Sequence, residues 1–75
     1  PTIAEKFAAL KDGLDKLGIG EEMMWRGIHR KAEENFGRTV VEFGDFTPVE
    51  AEAVLVYLMR WTKARAAEVA KGKKS

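Results

Sequence analysis

The chain's one histidine, His29, lies in the stretch MMWRGIHRK, residues 23–31, beside two methionines, a tryptophan and three basic side chains. Histidine ionises near neutral pH, so it can act as a general base, assist a nucleophile or bind a metal. Each role needs companions. No serine stands near it in sequence and Ser75 lies at the far end, which argues against a Ser-His-acid triad. With no cysteine, and with Glu33 and Glu34 adjacent rather than at ligand spacing, no metal site and no cofactor is expected. His29 reads instead as a boundary residue on a helix, apolar in its body and polar at its tip.

Other chemistry falls away in the same manner. An N-terminal proline amine serves as base or nucleophile in the tautomerase family, but there it opens a βαβ unit, whereas Thr2 opens a helix here. The pairs Glu21/Glu22 and Glu33/Glu34 point about 100° apart on a helix and read as solvated charges. The seven glycines match neither G-x-x-x-x-G-K-[ST] nor a strand-borne G-x-G-x-x-G. No catalytic residue is expected, and the chain reads as no enzyme.

Nucleic-acid binding rests on the cations. Arg26 and Arg30 share a helix face, yet Glu22 lies four residues before Arg26, and Glu33 and Glu34 lie three and four after Arg30. Such spacings allow ion pairs of about 0.2–0.5 kcal/mol each, which would partly neutralise the face. Gly18-Ile19-Gly20 fits the turn of a helix-turn-helix. However, Glu21 and Glu22 occupy the first turn of the would-be recognition helix, where phosphate contacts belong. The better electrostatic candidate is the C-terminal part. From Arg60 onward six cations face one acid, Glu68, a local excess of +5. Arg60, Lys63, Lys71, Lys73 and Lys74 would bind DNA weakly, without sequence preference and with strong salt dependence.

The elements that position these residues are three helices. The first, about 2–17, opens on TIAE, where Thr2 and Glu5 form a capping box. Ile3, Phe7, Leu10, Leu14 and Leu17 give it one apolar stripe. Gly13 weakens its interior, and Gly18 with Ile19 behind it is a left-handed stop. The second, about 21–36, ends at Gly37. Met24, Trp25, Ile28, Ala32 and Phe36 fall within about 120° of arc and form its core face. RTVVEFGDF is too short and Gly-broken for a helix. It reads as a partly extended connector whose Val40, Val41 and Phe43 fold back onto the helices. TPVE then opens the third helix, about 48–71: Thr47 caps, Pro48 takes the first position and Glu50 closes the capping box. Residues 72–75 are expected to be a flexible basic tail.

The third helix is apolar on two sides. Ala51, Val54, Leu55, Leu58, Trp61, Thr62 and Val69 form one face. Val49, Ala53, Val56, Tyr57, Ala64 and Ala67 form another, with Tyr57 towards its edge. Such a helix is either central in its own bundle or covered by a partner. Met23, on the outer side of helix 2, offers a second adaptable contact.

Residues 17–58 resemble a small helical module at the C-terminal end of phage single-strand-annealing recombination proteins of the ERF and RecT type. The shared pattern is a helix ending in LGI, a second ending in NFG, a short connector, and TPVEAEAVLVYL opening the last helix. It consists of capping and packing signals, covers about half the chain, and lacks the family's larger annealing domain. The resemblance implies an accessory module that binds a partner protein or DNA, in a phage or other mobile element. It transfers no catalytic residue.

The expected fold is therefore all-α, a compact three-helix bundle forming a single domain over 1–71. The expected function is a non-enzymatic interaction module. It would bind a protein partner, or a second copy as a homodimer, through Val49, Ala53, Val56 and Tyr57, with Met23 contributing. The alternative is a small DNA-binding protein using the basic C-terminal part. Balanced charge, with 13 basic against 12 acidic residues, names no partner. The absence of cysteine, of an apolar run of ~18–20 residues and of a signal-peptide pattern points to a cytoplasmic protein without membrane contact.

Overall fold

The computed structural model describes residues 2–73, Lys73 by its backbone alone. Three α-helices make the domain: α1 (Ile3–Lys16), α2 (Glu21–Phe36) and α3 (Pro48–Lys73). One turn of 3-10 helix, Phe43–Asp45, interrupts the connector before α3. No strand occurs among the described residues.

Both capping boxes form. Thr2 Oγ1 accepts from the Glu5 amide at 3.1 Å, and the Thr2 amide donates to the Glu5 carboxylate at 3.2 Å. At α3 the Glu50 amide donates to Thr47 Oγ1 at 3.2 Å, and the Thr47 amide to Glu50 Oε1 at 3.0 Å. Each pair satisfies two amide donors that a helix start would otherwise leave bare. Gly18 stops α1 with φ near +88°. The amide of Ile19 reaches the Leu14 carbonyl at 2.9 Å, and that of Gly18 reaches Asp15 at 3.0 Å. This is the Schellman arrangement, completed by burial of Ile19. Gly37, also left-handed, stops α2.

Contacts fix the directions of the helices. Lys11 pairs with Glu21 at 3.6 Å and Phe7 packs on Trp25, so α2 returns antiparallel to α1. Phe7 also stacks on Phe43, with ring centres 4.2 Å apart, while Leu17 at the other end of α1 meets Arg65. α3 therefore runs in the direction of α1, giving an up-down-up bundle. Leu14, Met24, Ile28, Ala32, Val54 and Leu58 are buried at its centre. The connector closes one end through Val40, Phe43 and Phe46; Phe46 lies edge-on to Phe36 and Phe43.

Two expectations need correcting, and one cation of the C-terminal excess is engaged within the domain. Val41 does not fold back but stands 75% exposed, because Val40 already fills the space beneath the connector. Arg65, which counts towards the +5 excess but not among the expected DNA contacts, is tied to the bundle. Its Nε donates to the Leu17 carbonyl at 2.9 Å and its Nη1 to Glu68 at 3.2 Å, so it closes off the end of α1. α3 also continues to Lys73, past the expected start of a tail at residue 72. Gly72 has no positive φ, and without a left-handed residue the helix has no reason to stop there. Residues 74–75, the remainder of the expected tail, lie outside the described residues.

A polar clamp ties the connector to α3. Arg38 donates to both carboxylate oxygens of Glu50 and, at 3.2 Å, to the Asp45 carbonyl. The Arg38 hydrogen bond, and after it the Thr47 amide, hold the Glu50 carboxyl below the usual carboxylate range. The same contact raises the Arg38 guanidinium.

Candidate functional site

α3 offers two surfaces that the bundle does not close. The first is its outer side. Val49 is 79% exposed, Val56 46% and Met59 51%, and Ala53 is exposed between them. Val49, Ala53 and Val56 stand roughly opposite Ala51, Val54 and Leu58, which are buried, while Met59 lies on the flank between the two sides. The arrangement follows from helical geometry, since positions two apart differ by about 200° and face opposite ways.

The second is an open cleft between α2 and α3, about 670 Å³ in volume. Tyr57 and Trp61, one turn apart on α3, put their rings 5.7 Å apart and lay them against Gly27 of α2. A methyl group at Gly27 would sit 2.7 Å from Tyr57 Oη and 2.9 Å from Trp61 Cζ3. Only glycine lets the rings approach this closely without displacement. Met23, Arg26, Arg30 and Arg60 complete the walls. Lys31 Nζ lies 5.5 Å from the centre of the Tyr57 ring, within reach of a cation–π attraction.

The charges of the cleft meet expectation at Arg26 and depart from it at Arg30. Arg26 meets Glu22 at 3.7 Å, but both side chains are largely in water, where such a pair contributes little. Arg30 makes no ion pair among the described residues; Glu33, expected to neutralise it, instead accepts from Thr39 Oγ1 at 3.3 Å. Arg60 is likewise unpaired among the described residues. Three guanidinium groups therefore line a cleft floored by two aromatic rings, an arrangement suited to anions with a flat apolar part.

The sequence-derived residues thus divide. Met23, which is 50% exposed, Tyr57 and Arg60 come together in the cleft. Val49, Ala53 and Val56 stay on the outer side, with Tyr57 turned away from them towards α2. Lys63 and Lys71 are exposed along α3, apart from the cleft lining. The Lys73 side chain and Lys74 lie outside the described residues.

Sequence reasoning missed Met59 and the meeting of Trp61 with Gly27. The first carried a signal, because Met59 follows Val49 and Val56 in steps of seven and three. The second carried none, since Gly27 and Trp61 sit on different helices. His29 is half-buried, its ring 5.5 Å from that of Trp25, and its Nε2 is buried without a hydrogen-bond partner. Among the described residues no group of three His, Cys, Asp or Glu side chains is placed to hold a metal. No described helix is long and apolar enough to cross a membrane.

Compared with protein-family models, with curated proteins and with solved structures, the chain matches none.

Proposed function

We propose that this chain is a non-enzymatic helical interaction module that presents the outer side of α3 to a helix of a binding partner. One observation carries the reading: Val49, Val56 and Met59 remain exposed on a helix whose opposite side already supplies the core. Exposed apolar residues lined up on one face gain free energy when covered, about 25 cal/mol per Å² of apolar surface removed from water. The similarity of residues 17–58 to the module of annealing proteins supports a setting in phage or mobile-element nucleic-acid processing, in the cytoplasm.

Selection of helical peptides from a displayed library tests this reading. Binders should be amphipathic, and Val56→Asp should abolish their binding while Arg30→Ala leaves it intact. Binders insensitive to Val56→Asp, or no binders from a folded protein, would count against α3 as the working surface.

A second reading, a small nucleic-acid-binding protein, gains support from one feature. Arg60, expected to act with Lys63, Lys71, Lys73 and Lys74, instead stands with Arg26 and Arg30 beside Tyr57 and Trp61. Guanidinium groups suit phosphates, and aromatic rings suit unstacked bases. Fluorescence titration with single- and double-stranded oligonucleotides at two salt concentrations tests it. The expected result is preference for the single strand, weakened by salt and lost in Arg30→Ala/Arg60→Ala. No binding at low salt removes this reading.

A further inference from the structure

The outer side of α3 also specifies which helix it fits. Val49, Glu52, Val56, Met59, Lys63 and Ala66 follow one another in alternating steps of three and four, and all six are exposed. This is the spacing of a coiled-coil seam, distinct from the seam that packs inside the bundle. Two of the six positions are charged, one acidic and one basic. An apolar partner helix would bury both unpaired, which is costly. A suitable partner must answer a carboxylate and an ammonium eleven residues apart with the opposite charges.

The same helix in reverse meets that requirement. We infer that a second copy of this chain is the partner, docked with the two α3 helices antiparallel and centred between Val56 and Met59. In this register Val56 faces Met59 of the second copy, Glu52 faces its Lys63, and Val49 faces its Ala66. Each layer then occurs twice about a two-fold axis, as an isologous interface requires. Every layer is either apolar against apolar or acid against base. The parallel, in-register alternative sets Glu52 against Glu52 and Lys63 against Lys63, which repel. Shifting the antiparallel helices by one heptad sets a charge against an apolar side chain. A seam drawn one step round the helix, through Ala53, Val56, Arg60 and Lys63, would set Arg60 against Val56 and Lys63 against Ala53, with no acid to answer either cation. The paired seam from Val49 to Ala66 is about 26 Å long at 1.5 Å per residue. Ala66 and the flanking Ala53 are small enough to let the backbones come close.

This inference rests on the proposed role of α3 as an interaction surface, and charge exchange tests it separately. In sedimentation equilibrium the protein should form a dimer with increasing concentration. Glu52→Lys and Lys63→Glu, each alone, should weaken that dimer by about tenfold or more, since each creates two like-charge layers. The double variant Glu52→Lys/Lys63→Glu should restore it. All these positions are exposed, so circular dichroism should report unchanged helix in each variant. Because the chain has no cysteine, Val56→Cys and Met59→Cys can be mixed and oxidised. The mixed disulfide should then form in preference to either homodimer. A monomer at high concentration overturns the inference, as does a dimer indifferent to the charge exchange or one that favours Val56→Cys homodimers. If helical peptides still bind in a Val56-dependent way under those outcomes, α3 remains an interaction surface for a different partner.

Discussion

Along α3, Val54 and Leu58 are shut away from water, whereas Val56 and Met59 among them stay about half open. The residue types are nearly the same, so hydrophobicity alone does not separate the two sides. What separates them is company. The buried side meets Leu14 of α1 and Met24, Ile28 and Ala32 of α2 in one continuous core. The open side shares its rows with Glu52 and Lys63, which water solvates well. Two opposite charges eleven residues apart keep this side of the helix soluble, yet leave the apolar side chains between them available to a second helix that brings the complementary charges. One helix can thus hold a domain together and address a partner without either role disturbing the other.

The largest effect that would test this division lies on the buried side. Leu58→Ala removes a side chain with no exposure at the meeting of all three helices. It should cost about 2–5 kcal/mol in chemical denaturation. A domain of this size has about 4–11 kcal/mol in total, so the variant should be partly unfolded at 37 °C. A loss under 1 kcal/mol would show that the inner side is not the core it resembles.

Gly27→Ala comes next, because it acts on the boundary where the core gives way to the cleft. Alanine favours a helix by about 1 kcal/mol over glycine. Its methyl group, however, falls within 3 Å of Tyr57 and Trp61, and overpacking of that kind costs about 1–3 kcal/mol. Both contacts are made by ring ends beside open space, so the rings should swing outward. A net loss of about 1 kcal/mol is expected, with a red shift in Trp61 emission. Increased stability with unchanged emission would mean that the rings do not rest on Gly27.

The two sides of α3, and the elements around them, are unequally legible in the amino-acid sequence. TIAE, TPVE, Gly18 and Gly37 declare where helices start and stop, because capping is chemistry between residues three or four apart. The apolar spacing of α1 and α2 likewise identifies their core faces. Contacts that span the chain leave no local trace. Arg65 and Leu17 lie 48 residues apart, and nothing near Arg65 announces that it closes α1 rather than joining a basic patch. Arg30 looks neutralised by Glu33 and Glu34 on a helical wheel. In the folded chain Glu33 bonds to Thr39 instead, at the turn that Gly37 begins. Val41 has the composition of a core residue and lacks only the space. Tyr57 belongs to the outer face by spacing, but the hole left by Gly27 draws its ring inward.

A smaller effect is expected where the connector meets α3, at the end of both faces. Thr47→Ala removes the side-chain acceptor for the Glu50 amide and should cost about 1 kcal/mol. The Glu50 contribution depends on pH. Its pKa is lowered in the folded chain by Arg38 and the Thr47 amide, so the folded state favours the ionised form. That stabilisation is complete above the unfolded carboxylate value of about 4.3 and is lost as pH falls through the lower folded value. Denaturation between pH 7 and 3 should therefore show an acid-side loss that is smaller in Glu50→Gln. An identical pH profile in the two proteins would show that the clamp does not couple to folding.

The smallest expected effect is the one on which the comparison depends. Val56→Ser and Met59→Ser, measured at concentrations low enough to keep the chain monomeric, should each change stability by no more than about 0.5 kcal/mol, as for surface sites without special contacts. Neither side chain belongs to the core cluster, and serine at either position adds only a modest helix-propensity penalty. The same substitutions remove apolar area from the centre of the paired seam, so dimer formation should fall sharply while the monomer's denaturation curve stays in place. A cost near that of Leu58→Ala in the monomer would mean that α3 uses its outer side to hold its own fold, leaving no surface to spare. An unchanged monomer with lost association would separate the two roles along one helix.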